Sequence, residues 1–145
     1  MKVVIDRPPL WNAINAKFHV AGRPVIFAWG NIIYNPEGVT VTRELRAHEE
    51  IHGERQIDYM HSQRWTQQDA IEEWWKAYIE SPTFRLNEEV PAHAAEYKAY
   101  CKRHSGTSDR QRALKAIAEK LASPLYGGLI TVGNSINAVV LGKLE

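Results

Sequence analysis

Short runs of apolar, β-prone residues near the N-terminus predict short β-strands. β-prone runs lie at residues 3–6, 25–28 and 31–34, and Trp29-Gly30 between the last two suits a hairpin or a bulge. Proline is tolerated in the first turn of a helix, so a short helix is expected over about residues 8–17. Together these signals predict two or three antiparallel strands and one short helix.

A helical pattern begins after Thr42, a residue type that caps helix N-termini. The expected helix runs from about residue 43 to His61. One face of it combines apolar and histidine side chains at three-, four- and seven-residue steps, namely Leu45, His48, His52 and Tyr59. The two histidines therefore share the inward-looking side of the helix with apolar residues.

Further helices are expected downstream, bounded by caps and prolines. Their spans are about 66–80, 88–104, 108–122 and 134–141. Thr66 with Asp69 begins the first of these, and Ser108 is the expected cap of the third. Proline lacks a backbone N–H, so Pro91 fits only the first turn of its helix. Residues 83–87 are accordingly predicted to form an irregular link.

The composition is that of an ordinary globular protein. The chain has 145 residues, of which 44% are apolar and 24% charged. This length suits one domain with a real core. We expect a single domain over residues 1–145 of the α+β class, mostly helical. Short N-terminal antiparallel strands would precede a bundle of four or five helices.

Charge and cysteine content narrow the classes of partner. A net charge of +1 argues against a general nucleic-acid or membrane binder, and no apolar run reaches the length of a membrane span. Cys101 is the single cysteine, which excludes an internal disulfide and a multi-cysteine zinc site. One thiol and the absence of a signal-peptide pattern suit the cytoplasm. We therefore expect a cytoplasmic protein without a nucleic-acid or membrane partner.

The stretch with the clearest chemistry is His48-Glu49-Glu50-Ile51-His52, which matches H-E-x-x-H. Helical residues four apart share a face, so both imidazoles can reach one metal ion. Glu49 lies about one-third of a turn from His48, where it can contact a water on the metal rather than the metal itself. The alternative is a solvated helix that carries two histidines by chance.

A catalytic zinc site needs a third protein ligand in addition to the two histidines. The expected helix over residues 88–104 offers a polar face with Glu89, His93, Glu96 and Tyr100. Spacing allows either Glu89 or Glu96 to face the first helix, and it does not decide between them. The alternative for this face is again simple exposure to solvent.

These segments together resemble small gluzincin-type zinc metallopeptidases. The matching parts are H-E-x-x-H-x-x-x-Q at residues 48–56, an aromatic-rich helix around residues 74–78, and an E-x-x-A segment at residues 88–93. The tail at residues 121–130 is similar to uncharacterised proteins of phages and prophages. The resemblance covers about residues 20–130, and its H-E-x-x-H motif is the highly specific part. It implies a minimal zincin-like domain built around a metal site.

The resemblance also implies a set of site residues. Zinc would be bound by His48, His52 and Glu89, with Glu49 as the general base. Larger thermolysin-like enzymes keep an aspartate one turn after the glutamate ligand, where it orients another ligand. This chain has His93 at that place.

We therefore expect a zinc-dependent peptidase that acts on a peptide or protein. Glu49 would take a proton from a zinc-activated water and pass it to the leaving amine. The oxyanion needs a further donor, for which His93 is the first choice. The other candidate donors are Tyr78, Tyr97 and Tyr100. Gln56 is expected to hydrogen-bond a ligand or the helix over residues 88–104. The alternative function is a non-catalytic phage accessory or interaction protein with a structural or degenerate zinc site.

Overall fold

The computed structural model describes residues 1–59 and 66–144, which contain three short strands and six α-helices. The strands are β1 (Lys2–Val4), β2 (Phe27–Trp29) and β3 (Ile32–Tyr34). The helices are α1 (Trp11–Phe18), α2 (Arg43–Asp58), α3 (Gln67–Glu80), α4 (Pro82–Arg103), α5 (Thr107–Leu121) and α6 (Val132–Leu141), with a 3₁₀ turn at Pro124–Tyr126. The prediction of a mostly helical α+β fold is confirmed. No helix in the described ranges is long and apolar enough to cross a membrane.

The three strands form one sheet in the order β1-β3-β2. β2 and β3 form the predicted antiparallel hairpin, in which Gly30 adopts a φ of 58°. The expectation that all strands are antiparallel is wrong, because β1 pairs with β3 in parallel. The chain leaves β1 through α1 and re-enters the sheet at its far edge, so β3 runs in the same direction as β1.

α2 begins where the sequence predicts, and its buried face is polar. The Thr42 hydroxyl accepts a hydrogen bond from the Leu45 N–H at 3.1 Å and caps the helix. The helix is described as far as Asp58, and its predicted end at His61 lies outside the described residues. Leu45 and Tyr59 of the predicted stripe are only half-buried. The buried residues are His48, Glu49, His52, Gly53 and Gln56.

Gln56 ties the hairpin to α2. Its side chain is fully buried, accepts a hydrogen bond from the Gly30 N–H at 2.8 Å, and donates one to the Ala28 carbonyl at 3.0 Å. The Trp75 indole donates to the same Ala28 oxygen at 3.1 Å. The expectation that Gln56 hydrogen-bonds a ligand or the helix over residues 88–104 is wrong, because the hairpin backbone pairs with both the oxygen and the nitrogen of its amide.

α3 and α4 follow each other with one residue between them. The predicted capping box of Thr66 and Asp69 is present at the start of α3. The predicted link over residues 83–87 is wrong, because the Ser81 hydroxyl caps the Phe84 N–H at 3.1 Å and α4 begins at once with Pro82.

Pro91 consequently lies inside α4 rather than in its first turn. An interior proline costs about 3 kcal/mol relative to alanine, because it removes one helical hydrogen bond and crowds the preceding turn. Its neighbours Val90 and Ala92 are almost completely buried, at 1% and 0% exposure. We infer that the packing of this segment offsets the cost.

Three other helix starts differ slightly from prediction. α1 begins at Trp11 rather than near residue 8, so both prolines precede the helix. Ser108 is not the cap of α5, which begins at Thr107 after Gly106 without a side-chain cap. α6 begins at Val132, two residues before the expected start. The Thr131 hydroxyl causes this earlier start by accepting from the Asn134 N–H at 3.1 Å.

The described residues contain two apolar clusters. The first joins α1, the hairpin and α3, and its buried members are Ile14, Val20, Phe27, Trp29, Ile71, Trp74 and Trp75. The second joins α4 to the C-terminal elements, and its buried members are Leu86, Val90, Leu121, Tyr126, Ala138 and Val139. α2 contacts β2, α3 and α4, so its polar inner face is enclosed by elements of both clusters.

Gly53→Ala should destabilise the fold, because a methyl group at this position would lie 2.2 Å from the backbone oxygen of Gly30. The hairpin would have to move away from α2, at an expected cost of about 1–3 kcal/mol. Chemical denaturation measures this loss as a lower midpoint.

Gly133→Ala is the matched control, since Gly133 is also helical and a methyl group there meets nothing within 4 Å. Because alanine has the higher helix propensity, Gly133→Ala should raise the free energy of unfolding by at most about 1 kcal/mol. Equal denaturation midpoints for Gly53→Ala and the wild type would contradict the close approach of hairpin and helix.

Candidate metal centre

Three buried side chains bring their metal-binding atoms together between α2 and α4. The Nε2 atoms of His48 and His52 are 3.0 Å apart. Glu89 Oε2 lies 3.2 Å from His48 Nε2, and Glu89 Oε1 lies 3.3 Å from His52 Nε2. The structure thus brings together the three residues that the resemblance implied as zinc ligands, and these residues could hold a metal ion.

The donor atoms have the separation that one small cation requires. Ligand atoms about 2.0–2.1 Å from a tetrahedral zinc are about 3.3 Å from each other. The observed separations of 3.0–3.3 Å match this value. In addition, the buried Glu89 Oε2 has no hydrogen-bond partner among the described residues. A carboxylate oxygen in such surroundings fits a cation, because an unpaired buried acceptor is otherwise costly.

Local helix geometry and one ion pair produce this arrangement. His48 and His52 are one turn apart on α2, so they point in the same direction. On α4, Glu88 next to Glu89 forms a two-bond ion pair with Arg55 of α2. The ion pair holds α4 in the position that directs Glu89 toward the histidines.

Aromatic packing orients the imidazole rings. The Nδ1 atoms of His48 and His52 are buried without a hydrogen-bond partner in the described part of the chain, although metal-bound histidines usually have one there. The His52 ring instead packs edge-on against Trp74, with ring centroids 5.5 Å apart, and lies 6.4 Å from Tyr78. Packing therefore replaces the usual hydrogen bond in fixing this ring.

Glu49 and Glu89 share the site, and their pKa values move in opposite directions. Burial raises the pKa of Glu49, and the attraction of His48 and His52 only partly offsets that rise. Burial also acts to raise the pKa of Glu89, but His52 and His48 bring it well below the usual range. Glu89 is therefore a stable anion, whereas Glu49 holds a proton more readily than an ordinary glutamate.

Glu89 also accepts a hydrogen bond from α3. The Tyr78 hydroxyl lies 2.5 Å from Glu89 Oε1. Burial and the negative charge of Glu89 raise the pKa of this phenol well above its usual value. Tyr78 therefore stays protonated and donates to the carboxylate.

His93 lies next to Glu89 on α4, away from the lining of the cleft. Its Nδ1 is 2.8 Å from Glu96 Oε2, and its Nε2 is 3.4 Å from Glu89 Oε2. His48, His93 and Glu96 form a second group that could hold a metal ion. The predicted role of His93 as an oxyanion donor stays a prediction.

Tyrosines surround this region, and the sequence did not single out the most buried of them. Tyr126 in the 3₁₀ turn is 2% exposed and lines the same cleft as His48 and Glu49. Burial and Glu89 raise the pKa of its hydroxyl. The turn residues around it predicted only a loop, and no local pattern indicated that the loop returns to the site. Of the other candidate hydroxyls, Tyr78 lines the cleft, whereas Tyr97 and Tyr100 do not.

The candidate ligands open into a cleft of about 340 Å³. His48, Glu49, His52 and Glu89 line it, as do the charged residues Arg23, Glu96 and Lys120. Most of the remaining wall is apolar and comes from α1, the segment between α1 and β2, the hairpin, α3 and the 3₁₀ turn, including Ile14, Phe18, Val20, Val25, Phe27, Trp75 and Leu125. A largely apolar cleft with a few polar groups is typical of a ligand-binding site.

Comparison with known proteins gave no family: no family model matches the chain, and no curated protein or solved structure matches it. The resemblance to gluzincins and to phage proteins therefore stays a prediction from the residues. What this chain can do has to be argued from the geometry of its own site.

Glu89→Gln should abolish tight zinc binding, because it removes the charge from the carboxylate nearest both histidines. Loss of a ligand should weaken binding by more than the roughly 10- to 100-fold typical of outer-shell changes. Competition with a chromophoric chelator gives the dissociation constant.

Glu96→Gln is the matched control and should change the zinc affinity by well under about tenfold. Circular dichroism should show that both variants are folded. A larger loss of zinc affinity in Glu96→Gln than in Glu89→Gln would mean that the ion is bound by His48, His93 and Glu96 instead.

Proposed function

We propose that this protein is a zinc-dependent peptidase that hydrolyses peptide bonds. The observation that carries the proposal is the convergence of His48 Nε2, His52 Nε2 and Glu89 Oε2 beside the buried carboxyl of Glu49. All four residues line one cleft. This combines a set of zinc ligands with a potential proton carrier, which is the pairing that metal-assisted hydrolysis requires.

The residues divide the chemistry between them. A bound zinc ion would supply an activated water and polarise the carbonyl of the scissile bond. Glu49 accepts the proton of the attacking water and delivers it to the leaving amine. Burial raises the pKa of Glu49, which is the direction that favours a proton carrier at neutral pH. Glu89 keeps its negative charge throughout, as a metal ligand must.

The shape of the site supports a catalytic role. A structural zinc site is closed by four protein ligands, whereas a catalytic site leaves one position for water. Among the described residues, the group of His48, His52 and Glu89 includes no fourth protein donor. These residues also border the cleft, so a substrate can approach them.

The cleft favours a peptide over a small polar substrate. Beyond the candidate ligands its wall is mainly apolar, and side chains such as Leu125 are 43% exposed. Covering apolar surface contributes roughly 25 cal/mol per Å², which provides binding energy for peptide side chains. We therefore propose a peptide or an unfolded protein segment as the substrate class.

The second candidate function is a non-catalytic protein with a structural zinc site. One observation favours it: the buried His93 Nε2 has no hydrogen-bond partner among the described residues and lies 3.4 Å from Glu89 Oε2. A small shift of this ring would bring a fourth protein donor to the ion. Zinc-loaded protein without any hydrolytic activity would support this alternative.

Glu49→Gln should leave zinc binding and folding intact but lower kcat/KM by about 100- to 10,000-fold, because the amide cannot accept the proton. The assay uses zinc-loaded protein and a mixture of internally quenched peptides with varied side chains. Zinc content is measured on the same samples.

Glu50→Gln is the matched control, since Glu50 is the next residue of α2, half-buried and outside the cleft lining. It should hydrolyse the peptides at the wild-type rate. Unchanged hydrolysis by Glu49→Gln would rule out the proposed mechanism.

A further inference from the structure

The two oxygens of the Glu89 carboxylate have different surroundings. Oε1 lies 3.3 Å from His52 Nε2 and accepts a hydrogen bond from the Tyr78 hydroxyl at 2.5 Å. Oε2 is buried without a hydrogen-bond partner among the described residues, and it lies 3.2 Å from His48 Nε2 and 3.4 Å from His93 Nε2. The phenol therefore takes up one lone pair of Oε1 and holds that oxygen toward α3, whereas both lone pairs of Oε2 are available to a cation.

Tyr78 is itself held firmly in place. Its ring stacks on Trp74, with centroids 5.0 Å apart and planes inclined by 19°. Trp75 and Phe18 contact it edge-on, at centroid distances of 5.4 and 5.8 Å. Because these contacts fix the ring, the hydroxyl can act as a fixed donor to Glu89.

We propose that Tyr78 is a positioning residue that makes Glu89 bind the metal ion through Oε2 alone. This inference rests on the proposed metal site of His48, His52 and Glu89. A carboxylate without the phenol could turn and bind with both oxygens, which would fill the coordination position needed by water. Tyr78 thus keeps the number of protein ligand atoms at three.

The inference assigns to α3 a role that the H-E-x-x-H motif does not contain. Groups that hydrogen-bond a ligating carboxylate fix its orientation and tune its affinity for the ion. Here that group comes from the aromatic helix, eleven residues before the ligand in the chain. The aromatic residues of α3 therefore contribute to the metal site as well as to the core.

The test is Tyr78→Phe, which keeps the ring and its packing and removes only the hydroxyl. Co²⁺ serves as the probe, because it absorbs visible light strongly in four-coordinate sites and weakly at higher coordination numbers. We expect Co²⁺ to bind about 10- to 100-fold more weakly. The visible band of the bound ion should also lose intensity as the second carboxylate oxygen binds.

Tyr97→Phe is the matched control, since the Tyr97 hydroxyl interacts with Cys101 and does not line the cleft. It should leave both Co²⁺ affinity and spectrum unchanged. Thermal unfolding of the metal-free variants separates positioning of Glu89 from stabilisation of the fold. If Tyr78 only stabilised the fold, its replacement would lower the stability without altering the Co²⁺ spectrum. Wild-type affinity and spectrum in Tyr78→Phe would overturn the proposal.

A crystal structure of the zinc-loaded wild type gives a second test that does not depend on a variant. Glu89 Oε2 should lie about 2.0–2.2 Å from zinc, while Oε1 still accepts from Tyr78. Two oxygens at bonding distance, or failure of the wild type to bind Zn²⁺ or Co²⁺, would refute the inference. Single-oxygen binding without cleavage of any peptide would support it and contradict only the peptidase proposal.

Discussion

The constraint on which this structure depends is the burial of a polar helix face. α2 buries His48, Glu49, His52 and Gln56 where a helix usually buries apolar side chains. A buried polar group without a partner costs about 1–3 kcal/mol, so each of these side chains needs one from another element. The hairpin backbone supplies partners to Gln56, and Glu89 of α4 faces both histidines. The positions of the sheet and of α4 around α2 follow from these pairings.

Local signals in the sequence predicted much of the helical framework. A cap depends on residues three apart, so Thr42 and the Thr66–Asp69 pair placed the starts of α2 and α3. The same local geometry puts His48 and His52 on one face. The hairpin was also predicted from a local signal, since two β-prone runs flank Gly30. The local rule that proline belongs in the first turn of a helix failed at Pro91, because the packing of α4 overrode it.

The third candidate ligand could not be predicted from spacing, because its position depends on contacts between distant segments. Glu89 and Glu96 are about 10 Å apart along α4, so a shift of two turns would exchange them. The ion pair of Arg55 with Glu88 selects one register, and Ser81 sets the start of α4. The ion pair joins residues 33 apart in the chain, so it has no local signature. The approach of Tyr126 to the site was hidden for the same reason, since it depends on packing between elements far apart in sequence.

Two carboxyl groups in one buried site acquire different chemistry from their neighbours alone. Desolvation acts on Glu49 and Glu89 alike and by itself would neutralise both. Glu89 nevertheless keeps its negative charge, because both imidazoles and the Tyr78 hydroxyl face its oxygens directly. Glu49 has weaker compensation from the same histidines, so its proton affinity rises. In enzymes with two neighbouring carboxyl groups, different surroundings often shift the two pKa values apart, so that one group stays charged and the other carries a proton. The proposed roles of Glu89 as ligand and Glu49 as base therefore rest on the different surroundings of the two carboxyl groups.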